Sequence, residues 1–95
     1  MEQGDLVVPV RGRDKGRMML IAGKTDSRYL LLCDGRLRKI ESPKRKLEKH
    51  VEWLSSAEGT VPDKLRKHEK VTNAELRRCI AGFRMSEGGG SYGQG

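Results

Sequence analysis

Apolar residues fall in short runs over the first half of the chain and recur at helical spacing only towards its end. Leu6-Val7-Val8-Pro9-Val10 is a β-branched run that predicts a first strand over residues 5–10. Pro9 cannot donate to a ladder, so the later part of that strand is expected at an edge. Met18 to Ala22 predicts a second strand and Tyr29 to Cys33 a third, the latter followed by Asp34-Gly35, a strong hairpin signal. Arg36-Leu37-Arg38-Lys39-Ile40 then reads as a fourth, half-buried strand, with Leu37 on one face and Arg36 and Arg38 on the other. Residues 41–49 lack apolar periodicity and read as a loop, after which His50-Val51-Glu52-Trp53-Leu54 resumes the alternation of a fifth strand. Short strands at roughly ten-residue spacing, with turn residues between them, predict a mainly β fold, either a small barrel or a sandwich.

The pattern changes after Ser55. Residues 56–60 read as a linker, and 61–70 are charged with Leu65 as the one large apolar interior residue, which assigns them no element. Thr72-Asn73-Ala74-Glu75 matches a capping box, and Leu76, Cys79, Ile80 and Phe83 follow on one helical face, so a helix starts here and is expected to end near Gly82. The Gly-rich stretch 88–95 has too little to bury to repay the entropy of ordering it. The expected organisation is a β module over 1–55, a linker and helical extension over 56–85, and a disordered tail over 86–95.

Ninety-five residues support one modest core, and with one Trp, one Phe and two Tyr that core must be aliphatic. Tyr29 and Trp53, as strand aromatics in an aromatic-poor chain, are expected inside it. Twenty Lys and Arg against thirteen Asp and Glu leave a formal charge of +7, which favours a polyanionic partner. Cys33 and Cys79 have neither CxxC nor Cys/His ligand spacing, so no metal site and no disulfide framework is expected. His50 and His68 have no nucleophile at partner spacing and no GxxxxGK[ST] loop is present, so neither an enzymatic role nor a cofactor is expected. The acidic opening and the lack of a long apolar run predict a cytoplasmic protein with no membrane partner.

Charge is concentrated in two places. Residues 11–17 read Arg-Gly-Arg-Asp-Lys-Gly-Arg, in which Gly12 and Gly16 let the backbone approach a phosphate while Arg11, Arg13, Lys15 and Arg17 surround it. Residues 36–50 carry seven Lys or Arg against two Glu: Arg36, Arg38, Lys39, Lys44, Arg45, Lys46 and Lys49. Binding through such residues depends steeply on salt and weakly on sequence, as in recognition of folded RNA by shape.

Gly4-Asp5-Leu6-Val7-Val8, then Gly12-Arg13-Asp14-Lys15-Gly16-Arg17 and the apolar positions up to Ile21, resemble the KOW motif of several ribosomal proteins. The continuation Asp34-Gly35-Arg36-Leu37-Arg38-Lys39-Ile40 and Pro43-Lys44-Arg45-Lys46 is similar to the L-fourteen-e ribosomal protein family, and more closely to short bacterial KOW proteins related to it. The resemblance extends to about Trp53 and implies a five-stranded SH3-like barrel whose motif loop approaches RNA. The function it implies is contact with structured ribosomal RNA or the ribosome, in assembly or translation. The alternative, from a different class, is a protein-interaction module that recruits a partner through the barrel or through Leu76, Ile80 and Phe83 of the C-terminal helix.

Overall fold

Five strands form one antiparallel sheet in the order β4-β3-β2-β1-β5: β1 Leu6–Pro9, β2 Met19–Lys24, β3 Tyr29–Cys33, β4 Lys44–Leu47 and β5 Val51–Ser55. A 3-10 turn, Glu48–His50, joins β4 to β5, and two helices follow, α1 Thr60–Arg66 and α2 Asn73–Gly93. This computed structural model describes residues 1–26 and 28–93, with side chains up to Met85 apart from Ser27. The tail expected to be disordered, 86–95, falls on residues whose side chains, and for Gln94 and Gly95 also the backbone, lie outside the described residues.

Strand pairing explains which face each apolar residue buries. Leu6 opposes Leu20 and Leu20 opposes Cys33, so these three share a face. That face packs against Leu65 of α1 and Leu76 and Ile80 of α2, with Ala57 and Val71, to form one buried cluster. Val7 opposes Met19 and Ile21 opposes Leu32, and with Leu30 and Val51 they form a second buried cluster that contains no helix residue. The sheet therefore covers this second face by its own curvature, helped by register shifts between Leu6 and Val7 and between Ile21 and Gly23, since a bulge bends and twists its strand.

The sheet is not closed into a barrel, which corrects the expected SH3-like barrel. Among the described residues no ladder joins β4 to β5, and the helices supply the second layer on one face instead. Pro9 is tolerated because β1 pairs with β2 only through Leu6 and Val7, and beyond that point faces β5 alone.

The fourth strand is also displaced. Residues 36–40 are not a strand, and β4 occupies Lys44–Leu47, inside the stretch expected to be a loop. The cause is Asp34, whose Oδ1 accepts the backbone N–H groups of Arg36 and Arg38, both at 2.9 Å. The N–H groups of Asp34 and Gly35 in turn donate to Arg38 O at 2.8 and 3.0 Å. The turn thus uses internally the backbone donors that a ladder needs, an Asx-type closure that competes with strand formation.

Residues 61–70, to which the pattern assigns no element, contain most of α1. Pro62 sits in its first turn, where a missing N–H costs no helical bond, and Pro62 and Leu65 are its buried residues. The capping box before α2 forms as expected: Glu75 N–H donates to Thr72 Oγ1 at 3.1 Å, and Thr72 N–H donates to Glu75 Oε1 at 2.9 Å. α2 does not stop near Gly82 but continues to Gly93. Trp53 is not in the core. It is 48% exposed on β5, with its indole Nε1 donating to the buried carboxylate of Asp5 at 3.1 Å, which holds the ring at the surface.

Candidate functional site

The loop 11–17 is folded on itself before it meets anything else. Gly12 and Gly16 take φ of +88° and +82°, and Gly16 N–H reaches back to Pro9 O at 2.9 Å. Arg17 N–H donates to Asp14 O at 3.0 Å, which closes a turn over the buried Asp14 side chain.

Two crossed ion pairs then lock this loop to the turn after β3. Arg38 of the turn grips Asp14 of the loop, its Nε donating at 3.1 Å and its Nη2 lying 3.0 Å from Oδ2. Arg17 of the loop donates through Nε to Oδ2 of Asp34 at 3.1 Å. Burial alone would raise the Asp34 carboxyl, but the Arg36 and Arg38 amides and the Arg17 guanidinium outweigh it and hold it below the ordinary carboxylate range. Two of the arginines expected to meet phosphate thus act first as clamps on buried carboxylates.

β4 delivers its cations to both faces of the sheet. Tyr29 opposes Leu47 and Leu31 opposes Arg45, so Arg45 stands over the Tyr29 ring, its guanidinium carbon 4.0 Å from the centroid. Tyr29 is therefore a half-buried platform covered by a cation, and not a core residue. Lys44 and Lys46 oppose Leu32 and Leu30, which belong to the sheet-only cluster, so their stems lie on the apolar face while the amines extend beyond it.

Lys46 reaches the 11–17 loop, and a Cβ placed on Gly12 would lie 2.5 Å from its Nζ. The absent side chain at Gly12 leaves room for the amine, so the loop and β4 present their charge at one place. His50 lies in the same cluster: its carbonyl accepts Val10 N–H at 2.9 Å. Partial burial, and then the positive charges of Arg11, Lys49 and Lys46, lower its imidazole below the ordinary histidine value.

Of the residues singled out in the sequence, Arg11, Gly12, Lys46 and Lys49 are brought together, with Lys44 on the same face of β4 as Lys46 and Arg45 on the opposite face. Arg13 and Lys15 project from the same loop, where Gly16 shapes the backbone and no side chain crowds it. Lys39 is exposed in the segment between the turn and β4. Arg36 is not part of this cluster, because it lines a groove with Arg77 and Arg84 of α2. Among the described residues none of Arg11, Arg13, Lys15, Arg36, Lys39, Lys44, Arg45, Lys46 and Lys49 forms an ion pair with a carboxylate.

Sequence reasoning missed His50 as a member of the cluster and missed Arg77 and Arg84 altogether. The helical offset of Arg77, Ala81 and Arg84 was the signal available for the latter. Leu76 and Ile80, offered as a docking face, are buried against the sheet, and Phe83 packs on the same cluster. The Cys33 thiol is buried and pushed up to about 12, first by burial and then by Asp34, which keeps it protonated. No group of metal-ligating side chains occurs among the described residues, and no described helix is long and apolar enough to cross a membrane.

No family model matches the chain, and a search of curated proteins returns no relative.

Proposed function

We propose that this chain is an RNA-binding module of the KOW type, built on an SH3-like sheet that stays open. Its partner is structured ribosomal RNA, and its setting is the ribosome during assembly or translation. The observation that carries the reading is the meeting of Lys46 with Gly12 beside Arg11, Lys49 and His50, which unites a glycine-bearing loop and a basic strand into one cationic surface. Like charges placed this close repel one another in the free chain, and a polyanion relieves that repulsion. The buried carboxylates nearest the loop, Asp14 and Asp34, are already engaged by Arg38 and Arg17 and leave the outward-facing cations unneutralised.

The test is binding of a labelled RNA hairpin across a salt series, with wild-type chain and with Arg11→Glu, Lys46→Glu and Lys49→Glu combined. Reversal of three phosphate-facing charges should weaken binding by well over tenfold and flatten the salt dependence. Affinity that stays within about twofold sinks the proposal. Co-sedimentation with ribosomes at low salt tests the setting, and failure to co-sediment removes the ribosome from the reading.

A further inference from the structure

A second set of cations surrounds a groove of about 270 Å³ between the turn after β3 and α2. Arg17, Arg36, Arg77 and Arg84 line it around the carboxylate of Asp34, with Ile80 and Met85 supplying apolar surface. Arg77, Ala81 and Arg84 share one helical stripe, and the small Ala81 keeps the space between the two arginines open. Seven residues of helix separate those arginines by roughly 10 Å along the axis.

Among the described residues, the hydrogen bonding of the groove leaves it positive. Asp34 has both carboxylate oxygens engaged, Oδ1 by the Arg36 and Arg38 amides and Oδ2 by Arg17 Nε. Arg77 is held in place by the Gly35 carbonyl, to which Nη1 donates at 2.6 Å. Neither Arg36 nor Arg84 has a side-chain hydrogen bond or ion pair among the described residues. Every cation here is an arginine, whose planar fork suits two oxygens of one phosphate better than the point charge of a lysine does.

We propose that this groove is a second phosphate site, which takes the backbone of the same RNA that contacts Lys46 and Lys49, so that the bound strand runs over the 11–17 loop onto α2. The loop supplies the continuity, with Arg11 at its start in the Lys46 cluster and Arg17 at its end in the groove. The inference rests on the RNA-binding reading above and extends it to a helix that lies outside the motif.

The experiment measures binding of a fluorescein-labelled RNA hairpin to the intact chain by anisotropy over a series of KCl concentrations. Two double variants are compared, Arg36→Gln with Arg84→Gln for the groove and Lys46→Gln with Lys49→Gln for the sheet. Neither groove side chain bonds to another among the described residues, and glutamine is a good helix former, so the fold should persist, which circular dichroism checks. Each lost phosphate contact flattens the logarithmic salt slope by about 0.7 to 0.9, so the groove pair should flatten it by about 1.5 and weaken binding roughly tenfold near 0.15 M salt. A slope left unchanged by the groove pair but flattened by the sheet pair overturns the groove site and leaves the RNA reading standing. Absence of salt-dependent binding by the wild-type chain overturns both. Displacement of the hairpin from the wild-type chain, but not from the groove variant, by polyglutamate at matched charge overturns the phosphate assignment in favour of an acidic protein.

Discussion

Replacement of Gly35 by alanine tests the contact that seats the turn after β3 on α2. Gly35 has φ of +78°, and a Cβ there would collide with the Asn73 carbonyl oxygen and lie 2.9 Å from Leu76 Cβ. The left-handed conformation costs an alanine about 1 kcal/mol or slightly more. The collision is with helix backbone, which cannot swing aside as a flexible side chain does, and overpacking of this kind adds roughly 1–3 kcal/mol. Gly16 provides the internal control, because its φ is +82° and nothing lies within 4 Å of its Cβ position. Gly16→Ala should therefore cost about 1 kcal/mol and Gly35→Ala about 2–4 kcal/mol, a large part of the total stability of a chain this size. Urea titrations followed by far-UV circular dichroism give both numbers, and a domain of this length should show melting temperatures roughly 4–8 °C lower per kcal/mol. Equal losses for the two variants would refute the close seating of Gly35 on α2, and with it the geometry of the arginine groove.

Three further outcomes follow from the ion pairs and the titrating groups. Asp14→Asn removes the charge under Arg38 and should destabilise the chain by about 1–3 kcal/mol, towards the lower end because the Arg38 side chain is 29% exposed; a urea titration showing no loss refutes the clamp. Glu75 is held down to about 2, from 4.5, first by Thr72 N–H and then by Lys64, so the unfolded chain takes the proton first. Its stabilisation is complete above pH 4.5 and is lost towards pH 2, with Asp34 acting in the same direction. Melting temperatures of wild type and Glu75→Gln should converge as pH falls through this window, and a constant gap argues against the assignment. The His50 imidazole should titrate below its ordinary value by NMR and move up both in Lys46→Ala and on addition of the RNA hairpin, so that binding tightens as pH falls towards the free chain's His50 midpoint. A midpoint indifferent to Lys46→Ala would remove Lys46 from the cluster.

How far the fold is legible from sequence depends on the range of the interaction responsible. β3 is read correctly at Tyr29–Cys33, and the start of α2 is read from Thr72 and Glu75, because a β-branched or aliphatic run and a capping box act within a few residues. The fourth strand is misplaced because its alternation is real but its backbone donors go to Asp34 and Arg38, within the turn itself. Trp53 is misplaced for a longer-range reason, since its indole partner Asp5 lies at the start of the chain. The candidate site is legible as a list of cations in two stretches, but not as a surface.

The sequence by itself determines four of the five short strands, the aliphatic character of the core, the basic excess and the glycine positions of the 11–17 loop, all of which are properties of single residues or near neighbours. Only the tertiary structure decides what each cation does. It turns Arg17 and Arg38 inward onto Asp34 and Asp14, brings Lys46 to Gly12 and His50, and sends Arg36 to join Arg77 and Arg84. A charge faces outward or clamps inward according to whether a buried carboxylate reaches it, and that depends on strand register and helix docking rather than on local pattern.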